Sequence, residues 1–247
     1  MKTVVCIKRV PDTETRIRIA EGGIDTSGVK YIVSPYDEFA IEAALRLKES
    51  TGDGEVSVMT LGAESAAEQL RSGLAMGADT AVLLKGETGM DGLAAAKALA
   101  TALEDAGADL ILFGMKAADH DQQQVGPMVA ELLDLPCVTV VAELESEDGT
   151  LVCHREIEGG TEVVEVETPA VVTITKGPYD PRYPSLKGIM AAKKKPLEER
   201  DAEVPADRVR VTELAYPPER PEGRVVGEGP DAVPELVRLL REEAKVL

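Results

Sequence analysis

Short apolar runs alternate with stretches whose apolar residues recur every three or four positions, from the start of the chain to about residue 133. Residues 2–10 (KTVVCIKRV) begin apolar and end in charge before Pro11-Asp12, the pattern of a strand running into a turn. Residues 55–62 (EVSVMTLG), 80–85 and 109–113 are runs of the same kind. Between them the period changes to 3.6. Ser34-Pro35-Tyr36-Asp37 opens a helix, with Ser34 at the N-cap, proline at the first helical position and acids in the first turn. Phe39, Ala40, Ala43, Ala44 and Leu47 fall on one face of it. Further helices are predicted over 64–76, ended by Gly77, over 91–105, and over 125–133. A regular βαβα recurrence of this kind predicts an α/β fold with a doubly wound, mainly parallel sheet. Residues 16–19 alternate charged and apolar as a half-exposed strand would, and Glu21-Gly22-Gly23 turns the chain.

Beyond residue 133 the pattern shifts. Residues 137–143, 151–156 and 162–167 read as strands separated by Glu147-Asp148-Gly149 and Glu158-Gly159-Gly160, both hairpin signals, so an antiparallel meander is added to the sheet. Residues 170–175 form a last apolar strand. Residues 176–196 show no periodicity, contain four prolines and end near Lys193-Lys194-Lys195. A loop of that length is uncommon unless it is functional, disordered or held by a partner. From Leu197 the chain is charged and proline-rich, through Tyr216-Pro217-Pro218 to Pro221, with a helix predicted over 231–245. Such an arm is too poor in apolar residues to build its own core and is expected to wrap another chain. The expected organisation is an α/β domain over 1–196 and an extended C-terminal arm over 197–247.

Charge narrows the partners. The formal charge is −18, from 27 Lys+Arg against 45 Asp+Glu, which argues against nucleic acid because phosphate backbones need a basic surface. No run approaches the roughly 18 apolar residues of a membrane span, so a cytoplasmic protein without membrane insertion is expected. Cys6, Cys137 and Cys153 are an odd, widely spaced set beside β-formers and read as buried thiols in a reducing compartment. His120 and His154 lack the companions that metal ligation needs. No Ser/His/Asp or Cys/His constellation can be assembled with any specificity, and the acids are too many for a chosen pair to carry meaning. Trp is absent and there are two Phe, leaving few rings to stack on a flavin unaided.

The stretch with the most chemistry follows the strand at 109–113. Gly114 lets the backbone turn or approach something closely. Asp119, His120, Asp121, Gln122, Gln123 and Gln124 then supply acceptors and amides just before an apolar helix. In an open α/β sheet this loop lies at the carboxyl edge, where ligands bind and helix N-termini present N–H groups to anions. Neither G-x-G-x-x-G nor a GKS/GKT phosphate loop is present, so a nucleotide would need another device. A polar loop capped by Asp121 or Gln122, with no ligand, fits the same residues.

Several stretches, in one order, carry a family resemblance: Cys6-Ile7-Lys8-Arg9-Val10; Ser34-Pro35-Tyr36-Asp37-Glu38 leading to Leu45-Arg46-Leu47-Lys48; and Leu74-Ala75-Met76-Gly77-Ala78-Asp79. They continue through 114–126, Arg155-Glu156-Ile157-Glu158-Gly159-Gly160 and Pro181-Arg182-Tyr183-Pro184-Ser185-Leu186 with Ile189-Met190-Ala191. Over essentially its whole length the chain resembles the beta (small) subunit of electron transfer flavoprotein. The resemblance implies a Rossmann-like, adenine nucleotide alpha hydrolase-like fold. It also implies a heterodimer with an alpha subunit that holds most of a redox-active FAD, while this chain binds a structural AMP and does no bond chemistry of its own. The AMP site it implies comprises Cys6, Ser34, Pro35, Tyr36, Asp37 and Leu61, together with Gly114, Met115, Lys116, Ala117 and Ala118. Asp119, His120, Asp121, Gln122, Gln123, Gln124 and Val125 complete it. Ser34 departs from a frequent Asn, and the Asp-His-Asp-Gln-Gln-Gln run departs from commoner Asp-rich or Gly-Asp-Thr versions.

The same resemblance makes residues 181–192 a recognition loop for acyl-CoA or other flavin dehydrogenases. Leu186 is its apolar anchor, and Pro181, Arg182, Tyr183, Ile189 and Met190 stand around it. Glu156 matches a glutamate that pairs with a basic residue of the alpha subunit. The implied role is carriage of electrons from such dehydrogenases, as in fatty acid β-oxidation, to a quinone-linked oxidoreductase. A subset of the family binds a second FAD in place of AMP and splits electron pairs; the Pro-Tyr-Asp-Glu-Phe-Ala helix start is more similar to the AMP-binding kind. An alternative of another class is a stand-alone nucleotide-binding sensor resembling universal stress proteins. The absent Gly-rich loop, the 181–192 segment and the arm weigh against it.

Overall fold

A computed structural model of the chain describes residues 1–20, 23–86, 91–147, 149–219 and 222–247. In chain order the elements are β1 Lys2–Cys6, β2 Arg9–Pro11, β3 Ile19–Ala20, β4 Gly23–Ile24, β5 Tyr31–Val33, α1 Pro35–Thr51 and β6 Glu55–Gly62. A 3-10 turn then leads into α2 Ala67–Met76, β7 Thr80–Lys85, α3 Gly92–Ala106, β8 Leu110–Gly114 and α4 Val125–Leu132. β9 Cys137–Glu147, β10 Thr150–Ile157, β11 Gly160–Glu167 and β12 Ala170–Ile174 follow, then α5 Leu186–Ala192, β13 Leu197–Asp201 and α6 Val233–Glu242.

Nine strands form one sheet in the order β11-β10-β9-β12-β8-β1-β6-β7-β13. β1 pairs in parallel with β6 on one side and β8 on the other, and β12 extends the parallel array beyond β8. The chain therefore builds outward through β6 and β7, then crosses back over β1 to lay down β8. That reversal, between β1 and β8, is the topological switch point, where sheets of this class leave a crevice at their carboxyl ends. The meander β9-β10-β11 is antiparallel, as expected, with β9 parallel to β12.

The sheet is apolar on both faces because both are covered. Alternate side chains of a strand point to opposite faces, and the buried residues sort accordingly. Val5, Val58, Leu110, Leu112 and Val172 pack with Ile41, Ala44, Leu70 and Leu74 of α1 and α2. Val4, Cys6, Met59, Ile111, Phe113 and Val171 pack with Leu99, Leu103, Val129 and Ala130 of α3 and α4. The near-continuous apolar runs of the parallel strands follow from this double burial.

Four expectations are corrected. Residues 16–18 form no strand; Arg16, Ile17 and Arg18 are exposed, and with no apolar face to bury only Ile19–Ala20 is extended as a strand. The 176–196 stretch is not irregular throughout, since it carries α5. Its start is fixed by Ser185, whose Oγ accepts from Gly188 N at 3.0 Å, a cap that the surrounding prolines obscure. Leu197–Asp201, expected to begin the arm, is instead the edge strand paired in parallel with β7. Cys137 is exposed at the start of β9, whereas Cys6 and Cys153 are buried. Of the expected turns, Glu21-Gly22-Gly23 and Glu147-Asp148-Gly149 fall partly outside the described residues, as does the stretch ending at Pro221.

The chain divides into two units, one of Met1–Arg18 with Ile24–Thr212 and a smaller one of Ile19–Gly23 with Glu213–Leu247. Within the smaller unit the Tyr216 hydroxyl accepts from Ile19 N at 2.8 Å. Its helix α6 buries none of its residues and is held along its surface by Arg238 pairing with Glu235 and Glu242. Among the described residues no helix is long and apolar enough to cross a membrane.

Candidate functional site

At the switch point the carboxyl end of β1 faces that of β8, with Cys6 in register with Phe113. The chain then leaves β1 as Ile7-Lys8 and leaves β8 at Gly114. Both exits are tied to one carboxylate. Asp37, 5% exposed in the first turn of α1, accepts Lys8 N at 2.7 Å through Oδ2 and Gly114 N at 3.0 Å through Oδ1. Burial pushes its carboxyl up to about 7, against the two backbone N–H groups and the nearby Lys8 charge, which favour the ionised form. Asp37 thus joins the strand ends to a helix start. Gly114 cannot be replaced without movement, because a Cβ there would lie 2.7 Å from Tyr36 C and 2.8 Å from Asp37 N.

Ser34 occupies the N-cap position of α1 but makes no side-chain cap bond. Its fully buried hydroxyl instead accepts from Ala118 N at 3.4 Å, tying the polar loop to the helix start. Ser34 is thus the N-cap residue, as expected, but its side chain serves the loop and not the helix's first turn. The loop's own helix, α4, is also without a side-chain cap: the N-cap residue is Gln124, not Asp121 or Gln122. Two helix N-termini without side-chain caps therefore meet this crevice. At α1 Pro35 has no N–H and those of Asp37 and Glu38 bond Ser34 O, which leaves Tyr36 N. At α4 the N–H groups of Val125 and Gly126, ahead of Pro127, are offered to an anion.

Charge is paired along the loop. Lys8 Nζ lies 2.7 Å from Asp119 Oδ2 and 3.4 Å from His120 Nδ1, and Lys116 Nζ lies 2.9 Å from Asp121 Oδ2. Asp121 and Gln123 have positive φ (51° and 54°), a conformation non-glycine residues adopt rarely and one that concentrates at functional sites. Gln124 donates to Gln122 at 2.9 Å, and both amides sit against Gly92 at the start of α3. Met115 N donates to Ile174 O at 2.8 Å, holding the loop's root to β12. Cys6 is buried beneath, its thiol pushed well above the usual range by burial and then by Asp37, so it lines the floor as an apolar group. Leu61 stands at the carboxyl end of β6, and Pro35, Tyr36 and Val125 are half-buried around the same edge. Sequence reasoning missed Lys8, although a lysine directly after an apolar strand at a carboxyl edge is a usable signal. A cavity of about 730 Å3, lined by Lys97, Thr101, Glu104, Leu132 and Pro205 among others, includes none of these residues.

A second surface is built by residues 181–192. Tyr183 and Leu186 are 94% and 84% exposed, and Met190 and Ile189 are exposed beside them. Arg182 is not presented with them. Its guanidinium and backbone N–H bind Glu42, and its guanidinium also binds Glu49, both on α1. Burial would raise the Glu42 carboxyl, but Arg182 and Arg46 hold it below the usual range. The lysine run is also not uniformly solvated, for Lys195 Nζ donates to Leu74 O at 3.1 Å and Ala78 O at 2.5 Å at the end of α2. Glu156 is exposed on β10.

Fold and crevice together define the class: a doubly wound α/β protein whose polar loop stands at the switch point and which dispenses with a Gly-rich phosphate loop. Comparison with known proteins gives the family. The family model described as "Electron transfer flavoprotein domain" matches residues 22–205. The chain is 42% identical to the electron transfer flavoprotein subunit beta of Bacillus subtilis over the full length of both. It is 41% identical to the Syntrophomonas wolfei subunit beta, over 94% of this chain and 92% of that one. It is also 42% identical to the caffeyl-CoA reductase-Etf complex subunit CarD of Acetobacterium woodii, over 80% and 77% of the two chains. The chain belongs to the electron transfer flavoprotein beta-subunit family, and its role is electron transfer. Family membership also replaces the stand-alone sensor reading.

Proposed function

We propose that the chain pairs with an alpha subunit that carries a redox-active FAD, binds one structural AMP in the β1/β8 crevice, and docks flavin dehydrogenases through residues 181–192. The observation that carries the nucleotide assignment is the pair of helix starts without side-chain caps, at Ser34 and Gln124, beside a loop of amide and carboxylate groups. The residues fit an adenine nucleotide. The backbone N–H groups of Tyr36, Val125 and Gly126 and the amides of Gln122, Gln123 and Gln124 suit a phosphate, and Asp119 or Asp121 suits a ribose hydroxyl. Lys8 and Lys116 offset the acids so that an anion is not repelled. The chain itself does no bond chemistry in this reading. FAD, held mainly by the alpha subunit, supplies the redox chemistry, while these residues bind, position and dock.

The exposed Tyr183, Leu186 and Met190 support the docking assignment, because an apolar anchor on a braced segment can fill a pocket on more than one dehydrogenase. Electrons pass by proximity, so a brief, steered encounter serves the role better than a tight complex. Acyl-CoA dehydrogenases are the donors and a quinone-linked oxidoreductase the acceptor in this reading. Glu156, exposed on β10, is assigned to the contact with the alpha subunit, and the 213–247 unit is assigned to wrapping it. A second reading places another FAD where AMP is proposed, favoured by the likeness to a subunit of a caffeyl-CoA reductase-Etf complex.

The test is co-expression with the alpha subunit encoded for it, followed by denaturation and identification of the released nucleotides. One FAD and one AMP per heterodimer is the expected result. Two FAD without AMP overturns the AMP assignment in favour of the second reading. A homodimer that takes up nucleotide without any flavoprotein partner overturns both.

A further inference from the structure

We propose that Arg182 is a positioning residue that fixes the exposed apolar face of residues 183–190 before any partner arrives, with Arg71 and Lys195 acting at the other end of the segment. The proposal rests on the reading of that segment as the docking surface.

Four exposed apolar side chains on a short helix and its lead-in would ordinarily fold back or fluctuate. Here both ends of the segment are fastened to the helices beneath it. At the leading end Arg182 Nε and Nη2 donate to the two oxygens of Glu42 at 2.7 and 3.1 Å, and Nη1 and Nη2 to the two oxygens of Glu49 at 2.6 and 3.1 Å. Its backbone N–H adds a bond to Glu42 at 3.1 Å. Glu42 is 2% exposed, and Arg46, one turn further along α1, completes its shell by donating from Nε at 2.8 Å. The Arg46 guanidinium in turn lies 4.2 Å over the Tyr179 ring, fixing the chain just before the segment.

At the trailing end Arg71 Nη1 donates to Ala192 O at 2.6 Å and Lys195 O at 2.8 Å. Lys195 returns the contact to the carbonyls ending α2, where a cation is favoured by the helix dipole. Between the two ends, α5 lies so close on α2 that a Cβ at Gly188 would be 2.6 Å from Ala75 O. Only a planar fork can bridge Glu42 and Glu49 in this way, so lysine would not replace Arg182. A surface held in one arrangement loses less freedom on binding, which raises affinity without adding a contact. The arrangement also pairs the Arg182 charge within the chain, so that Tyr183, Leu186, Ile189 and Met190 are presented with the exposed Lys187 as the one charged residue of 183–190.

The experiment uses the heterodimer with its flavin in place and an acyl-CoA dehydrogenase reduced by its acyl-CoA substrate as the electron donor. Wild type, Arg182→Met, Arg182→Lys, Leu186→Ala and the Arg182→Met/Leu186→Ala pair are compared for KM toward the heterodimer, kcat, and hydrogen exchange of amides 183–192. Leu186→Ala is expected to raise KM roughly ten-fold without faster exchange, as loss of an interface anchor does. Arg182→Met is expected to raise KM by several-fold, to speed exchange in 183–192, and to add little in the double variant; Arg182→Lys should recover only part. If Leu186→Ala raises KM while Arg182→Met changes neither KM nor exchange, the positioning role is wrong and the docking surface stands. If Arg182→Met adds its full effect on top of Leu186→Ala, Arg182 contacts the partner directly and the positioning role is again wrong. If Leu186→Ala leaves KM unchanged, the docking reading falls and this inference with it.

Discussion

The crevice between β1 and β8 and the 181–192 segment are both fastened to α1, but by opposite means. At the crevice a single buried carboxylate, Asp37, accepts backbone N–H groups from two strand ends, and among the described residues no side-chain cation touches it directly. At the segment the fastening is ionic: Arg182 bridges Glu42 and Glu49, and the apolar side chains it frames face solvent. The first arrangement fixes the backbone and leaves polar groups at the rim. The second fixes a side-chain frame and leaves apolar groups at the rim. The difference teaches that rigidity is supplied in each place by whichever chemistry the exposed surface is not using.

Asp37 gives the largest way to break this comparison. Its folded carboxyl is raised from 3.8 to about 7 by burial. A folded state that holds a proton the unfolded state has released is favoured at lower pH. The Asp37 contribution is therefore fully present below about pH 4 and is lost as pH rises through about 7. A rise of this size corresponds to a ceiling of about 4 kcal/mol. Asp37→Asn removes the titration and leaves one of the two N–H donors facing an amide N–H. In urea unfolding, wild type should exceed Asp37→Asn by more at pH 5 than at pH 8. A gap that does not change with pH would mean that the two N–H bonds, not burial, set the ionisation of Asp37.

Gly114 comes next. A Cβ at this position meets backbone atoms of Tyr36 and Asp37, which are fixed by the helix start and cannot swing aside as a side-chain tip would. Gly114→Ala should destabilise by about 3 kcal/mol, the upper part of the range for overpacking. It should also lower the nucleotide retained after purification, read by chromatography of the denatured heterodimer. A variant with wild-type stability and nucleotide content would show that α1 can move away from β8, and that the crevice is not rigid.

Gly114 also marks how far the sequence was readable. The run 109–113 ending in glycine, and the alternation of strands with 3.6-period helices, place β1, β6, β7, β8 and their helices, because double burial makes the strands apolar and the turns abrupt. The carboxyl-edge position of the 114–125 loop follows from that order. What could not be read depends on long-range pairing. Asp37 looks like an ordinary first-turn acid until Lys8 and Gly114 are brought to it. Glu42 looks like one acid in a charged helix, though its place among Ile41, Ala43 and Ala44 was a signal that it needed a cation. Leu197–Asp201 carries four charged residues and pairs only because β7 offers an open edge. Ser185 and Gly188 give α5 its cap and its close approach to α2, features that a proline-rich reading of 176–196 passes over.

Glu42 provides the smaller test and the sharper one, because α1 carries both fastenings, with Asp37 in its first turn and Glu42 and Glu49 further along. Glu42→Ala removes a buried carboxylate and leaves Arg182 with Glu49 alone. Breaking a fully buried pair costs about 3 to 5 kcal/mol. Arg182 and Arg46 keep a third and a half of their side-chain surface in solvent, so water compensates part of the loss and about 2 kcal/mol is expected. The informative measurement is where the loss appears. Ile41, Ala43 and Ala44 anchor the middle of α1 in the core independently of Glu42, so amide exchange should quicken over 181–192 and stay unchanged at 114–125, with nucleotide content intact. If exchange at 114–125 quickens as well, or nucleotide is lost, α1 transmits between the two surfaces, and the crevice and the docking segment form a single coupled device.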